Sequence, residues 1–169
     1  MFARHPLTLT ALLVLILDQA SKLGVLWGLQ LDSVELVEVF PPYLVFRMAW
    51  NQGVNFGLLS HGPEWARWGL IALAIGISAW VWAWVRREPQ GLAQAVSAGL
   101  LIGGAAGNVI DRLAYGAVAD FLNMSCCGIE NPFSFNVADV AIFLGAVGLV
   151  IWSGGGAPPA GRRRTRKSP

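Results

Sequence analysis

The chain has 169 residues, of which 13% are charged and 55% hydrophobic, with a formal net charge of +2 and a mean hydropathy of +0.55. An average globular domain is about 25% charged and roughly 45–50% apolar, so one water-soluble core of this size cannot hide the excess and lipid is the natural solvent. The two cysteines, adjacent at Cys126 and Cys127, exclude a disulfide framework and a cysteine metal quartet.

Crossing the hydrocarbon takes about 20 helical residues, and four segments have that character. The first runs from about 7 to 29 and is interrupted by Asp18, Gln19 and Lys22. Its apolar run continues past Asp18 to Trp27 with no small-residue cleavage site behind it, which predicts a retained helix rather than a secretory leader. Asp18 and Lys22 stand four residues apart and share a helix face, where they can pair. Ionisable groups inside a span usually face a partner or a cavity. A self-neutralising pair that holds helices together and a pair that steadies a nearby site both fit.

The segment of about 30–64 holds two runs rich in Val, Leu, Phe and Tyr, at 34–40 and 43–50, split by Pro41-Pro42. That pattern predicts two strands forming a small sheet on the outer leaflet. The second span, about 65–85, has Arg67 near its start and Trp80, Trp82 and Trp84 near its end, where tryptophans form an interface belt. The third, about 91–113, is built largely of Ala, Gly, Leu and Val. Gly99, Gly103 and Gly107 recur every fourth residue in it, a smooth stripe for close helix contact. At its outer end stand Asn108, Asp111 and Arg112. A helix end dipping into headgroups accounts for the two charges, but the amide of Asn108 needs a partner that lipid does not offer.

Asp120 follows in the apolar stretch 117–121 of an outer segment at about 114–135, and Asp139 lies one turn inside the fourth span, about 136–152. That last span is short unless Phe133 to Phe135 extend it. Orientation follows from the basic residues of the short loops. Arg4, Arg86, Arg87, Arg162 to Arg164, Arg166 and Lys167 fall on one side of an even number of spans, which puts both termini in the cytoplasm. The fold class expected is therefore membrane α-helical, with four transmembrane helices and a small extracytoplasmic β-sheet. Residues 1–153 form the membrane domain and 154–169 a disordered tail. The tail joins a Gly/Pro/Ala linker to an Arg/Lys run that resembles a nucleic-acid patch. Beside a membrane exit such a run fixes topology and meets anionic lipid, and no nucleic-acid partner is expected.

The third span rises to the outer surface and the fourth descends from it, so Asp120 and Asp139 can meet. Two carboxylates in contact share a proton. The ionised member can then activate water while the protonated one polarises a carbonyl. The alternative is two unrelated aspartates, one in a loop and one favoured by the dipole at a helix start. Other chemistry is poorly supplied. His5 and His61 fall on opposite sides of the membrane, against a histidine triad or a zinc site. No His-Glu-x-x-His motif or phosphate-cradling glycine loop occurs. The vicinal cysteines have no assured histidine base.

Five stretches occur together in a known order: Asp18-Gln19-Ala20-Ser21-Lys22, Asn51-Gln52-Gly53, the run from Gly103 through Asn108 to Asp111-Arg112, Val118-Ala119-Asp120-Phe121, and Phe135-Asn136-Val137-Ala138-Asp139. Over about residues 7–152 the chain thereby resembles bacterial lipoprotein signal peptidase (signal peptidase II). The resemblance implies a monomeric aspartic endopeptidase of the bacterial cytoplasmic (inner) membrane, with its active site near the outer leaflet. Its partners would be membrane lipid and prolipoproteins carrying diacylglycerol on a cysteine, and it would cut just before that cysteine. It also implies Asp120 and Asp139 as the catalytic pair, with Asn108, Asp111, Arg112 and Asn136 ordering the site. Asp18, Lys22, Asn51 and Gly53 would shape the substrate pocket, and no cofactor or metal is implied. The chain departs from the family where Asn55, not alanine, precedes Phe56, and in the Cys126-Cys127-Gly128-Ile129-Glu130 insert. A small transporter and a non-catalytic membrane scaffold are the rival functions. The transporter would show internal repeats and broken mid-membrane helices, and neither is visible.

Overall fold

Helix α1 starts at Pro6, where a missing N–H costs no bond, and runs to Leu23. It continues through a π-helical turn, Gly24–Gly28, giving an apolar column of 23 residues. The computed structural model describes residues 6–53, 64–87, 91–126, 128 and 131–153. The basic tail, the Asn55-Phe56 pair, both histidines and Cys127 lie outside the described residues.

After the π-turn, the short helix α2 (Leu31–Val34) is flanked by Gln30 at φ 50° and Glu35 at φ 65°, unusual values for residues with a Cβ. Strands β1 (Leu36–Phe40) and β2 (Leu44–Asn51) form the expected antiparallel hairpin around Pro41-Pro42, with Val37 opposite Phe46. A third strand joins them. β3 (Val118–Met124) pairs antiparallel with β2, placing Ala49 opposite Asp120 and Asn51 opposite Val118, in the order β1-β2-β3. The sequence suggested only two strands. β3 is buried on both faces over Val118–Phe121, so the polar–apolar alternation that betrays a half-exposed strand is missing.

Helices α3 (Glu64–Arg87) and α4 (Leu92–Tyr115) have 24 residues each, long and apolar enough to cross a membrane, as is α1 with its continuation. The last helix, α5 (Val137–Ser153), has 17 residues. Phe133 to Phe135 do not lengthen it. Phe135 instead bonds β3 as a strand-like bridge, its N–H donating to the Leu122 carbonyl at 2.9 Å.

α4 is the hub, packing most extensively against α5 and α1. Its glycine stripe lies along α1: a Cβ at Gly99 would sit 2.6 Å from the Leu7 carbonyl, and one at Gly103 would strike Ala11. Gly145 and Gly148 of α5 return the favour against Ser97 and Leu101. Val81, Val85, Ala98, Leu101 and Leu149 close one core, and Val25, Leu31 and Phe121 another beneath the sheet. The outer surface is apolar, with Leu9, Ile16 and Val150 exposed, as a lipid solvent permits.

Candidate active site

Asp18 is fully buried although it sits inside an apolar helix. Three donors converge on it. Lys22 Nζ lies 2.8 Å from Asp18 Oδ2, the Gln19 amide donates to the same oxygen at 3.2 Å, and the Ala138 N–H donates to Oδ1 at 2.9 Å. The last contact caps the open amide end of α5, where a carboxylate is favoured. Lys22 also meets Asp111 Oδ2 at 2.7 Å and donates to Asn108 Oδ1 at 3.2 Å. The expected pair is thus a buried triad. Removing Lys22 would leave two buried carboxylates without their cation, which is far costlier than the pairing itself is stabilising.

From Asn108 the network passes to the two candidate aspartates. Its Nδ2 donates to Asp139 Oδ1 at 2.9 Å. Asn136, fully buried, donates from Nδ2 to Asn108 Oδ1 at 3.2 Å and to Asp120 Oδ1 at 2.6 Å. Asn136 and Asp139 also exchange bonds across the first turn of α5: the Asp139 N–H donates to Asn136 Oδ1 at 2.9 Å and the Asn136 N–H to Asp139 Oδ2 at 3.2 Å. That reciprocal arrangement is a capping box with Asn136 and Asp139 as its partners. It fixes the carboxylate of Asp139 relative to the amide that holds Asp120.

Asn51, at the end of β2, donates to Asp120 Oδ2 at 3.0 Å, and the Gly53 N–H donates to Asn51 Oδ1 at 3.0 Å. Arg112 donates from Nη2 to the Gly53 carbonyl at 2.8 Å. The Ala119 N–H donates to Asp111 Oδ2 at 3.2 Å, tying β3 to α4. All ten residues expected at the site therefore stand in one hydrogen-bonded network drawn from α1, β2, α4, β3 and α5.

Asp120 is 1% exposed, whereas Asp139 is partly open. Burial and the neighbouring charge of Asp139 push the Asp120 carboxyl up to about 7, against the opposing pull of its bonds from Asn51 and Asn136. Near neutral pH the Asp120 carboxyl is therefore still partly protonated. Among the described residues no group of three His, Cys, Asp or Glu side chains stands together in a geometry suited to a metal ion.

Three contributors were not singled out from the sequence. Gln19 donates to Asp111 Oδ1 at 2.9 Å and so links α1 to α4. Asn123, 3% exposed in β3, donates to the carbonyls of Asn131 at 2.8 Å and Phe133 at 3.0 Å, pinning the segment that leads into α5. The Ala138 N–H has no side-chain signal at all. An amide within a largely apolar stretch was the one available cue for Asn123.

Residues 10–154 match the family described as signal peptidase (SPase) II. The lipoprotein signal peptidase of Methylobacterium sp. (strain 4-46) is 41% identical over 147 residues, 85% of this chain and 87% of that protein. The lipoprotein signal peptidase of Rhodopseudomonas palustris (strain ATCC BAA-98 / CGA009) is 42% identical over 156 residues, covering 90% of this chain and 93% of its own length. Two solved structures, each titled a bacterial membrane enzyme studied by the in meso method, superpose with TM-scores of 0.72 and 0.71 at 28% and 26% identity. They cover 86% and 89% of this chain and 85% and 94% of their own.

Proposed function

The chain belongs to the signal peptidase II family and removes signal peptides from prolipoproteins, and we propose that it does so as an aspartic endopeptidase in which Asp120 and Asp139 share one proton. The observation that carries this reading is the pair's shared scaffold, with Asn136 bonded to both carboxylates at once. In the proposed reaction Asp139, the charged and more open member, takes a proton from a water molecule as its oxygen attacks the scissile carbonyl carbon. The carboxylic acid of Asp120 donates a hydrogen bond to the carbonyl oxygen and stabilises the charge that develops there. The tetrahedral intermediate collapses as the amide nitrogen accepts a proton from the pair. One peptide bond and one water become a new carboxyl and a new amine.

Around the pair, Asn108 and Asn136 aim the carboxylates, and the Lys22–Asp18–Asp111 triad fixes the helices that present them. Arg112 holds the Asn51–Gly53 segment over Asp120. We further propose that α5 is a fourth span, that both termini are cytoplasmic and that the site lies near the outer leaflet of the inner membrane. On this reading residues 1–153 form the monomeric peptidase unit, and residues 154–169 a basic tail that meets anionic lipid. The substrate is a prolipoprotein already carrying diacylglycerol on its cysteine, cut just before that residue.

The test is cleavage of a diacylglyceryl-modified prolipoprotein peptide by purified Asp139→Asn. The expected outcome is a folded protein whose kcat/KM has dropped by about a thousandfold or more, the scale at which a general base contributes. Robust cleavage by a variant with a normal melting transition would overturn the aspartic mechanism.

A further inference from the structure

Outside the hydrogen-bonded network, a cavity of about 430 Å³ opens at the outer end of the bundle. Trp27, Trp50 and Tyr115 line it, together with Gln30, Asp32 and Ser33. Its size suits a headgroup-sized ligand.

The walls have a definite chemistry. Trp50 and Tyr115 approach to 5.5 Å between ring centres at 52°, so their faces converge rather than lie flat together. Trp50 Nε1 donates to Asp32 Oδ1 at 2.9 Å, which seats the carboxylate against the indole edge. Trp27, 76% exposed on the π-turn that ends the first span, supplies a third ring at the mouth. Aromatic faces around a carboxylate attract an ammonium group, because the ring quadrupole and the anion both favour a cation. An interface belt explains rings at this depth, but it does not explain a carboxylate held among them.

We propose that this cavity binds the ammonium headgroup of a zwitterionic membrane phospholipid. The occupant is lipid rather than peptide because the mouth is framed by the outer end of a membrane-spanning helix, where Leu23, Trp27 and Leu29 are exposed. Gln30 and Ser33, whose side chains carry hydrogen-bond donors suited to the phosphate next to the ammonium, line the same cavity. Gln30 reaches its position with a left-handed backbone, φ 50°. None of these six residues belongs to the network around Asp120 and Asp139, so the proposal stands apart from the peptidase mechanism.

The experiment is native mass spectrometry of the delipidated full chain in detergent, offered phosphatidylethanolamine and phosphatidylglycerol with identical acyl chains. The parent should retain phosphatidylethanolamine in preference by about fivefold or more, as a solvent-exposed cation–π contact plus an exposed ion pair implies. Asp32→Asn, which removes the charge and keeps the Trp50 acceptor, should bring the two lipids to parity. Tyr115→Leu should do the same by removing a ring, and an unchanged melting transition for either variant certifies the fold. Equal retention by the parent, or an unchanged preference in a folded Asp32→Asn protein, would overturn the proposal. Displacement of the lipid by a soluble lysine-bearing peptide would also overturn it, by assigning the cavity to peptide.

Discussion

Asp120 and Asp139 carry the same functional group in unlike surroundings, and the difference has a measurable consequence. Asp120 is buried and its carboxyl titrates at about 7, against an ordinary value of 3.8. The folded chain therefore binds more protons than the unfolded chain between those values. The contribution of this group to stability is fully present below the lower value and is lost as pH rises toward about 7, at up to about 1.4 kcal/mol per pH unit. Thermal melts at pH 5 and pH 8 should show this loss in the parent and a much smaller one in Asp120→Asn. An undiminished loss in the variant would place the titrating group elsewhere. On the proposed mechanism, cleavage by the parent should likewise decline as pH rises above about 7, because the pair would then lose its shared proton. At this scale the sequence was informative where chemistry is local. The spacing of Asp18 and Lys22 announced their pairing, but Asp111 as the second anion on Lys22 was not legible, because helix rotation alone brings α4 to α1 at that point.

The same partition holds for elements. Apolar length announced the helices, and the four-residue period of Gly99, Gly103 and Gly107 announced a close contact without naming its partner, which is α1. β3 stayed hidden because a strand covered on both faces reads like any short apolar run. A glycine of the stripe and a glycine outside it should respond differently to an added methyl group. A Cβ at Gly107 would collide with the Asp18 carboxylate, which is held by Lys22, Gln19 and the Ala138 N–H and cannot yield cheaply. Gly107→Ala should cost about 1–3 kcal/mol, as overpacking does, and should depress cleavage as well. Gly76 in α3 meets nothing within 4 Å. Gly76→Ala should be neutral or stabilise by up to about 1 kcal/mol through helix propensity. Parallel thermal melts decide the matter, and equal effects at the two sites would refute the packing described for α4.

Across the whole molecule, basic-residue asymmetry predicts that cysteine labelling from outside reaches residue 45 in β2, while residue 165 is labelled only after the membrane is opened. The reverse pattern would overturn the outer-leaflet setting proposed for the site. The site itself is a property of the entire fold, since Asp120 arrives on β3 and Asp139 on α5, and Asn136 joins them only when both elements are docked on α4. Spacing left that meeting open, and only the order of the five motifs singled it out. Residues that share one proton act as one unit, so their removal is not additive. The most direct measurement is therefore kcat/KM on a lipidated prolipoprotein peptide for Asp120→Asn, Asp139→Asn and the double variant. Each single change should abolish nearly all cleavage, and the double variant should lie within a few-fold of either one. A double variant whose loss is the product of the two single losses would show two independent aspartates and contradict the shared-proton mechanism.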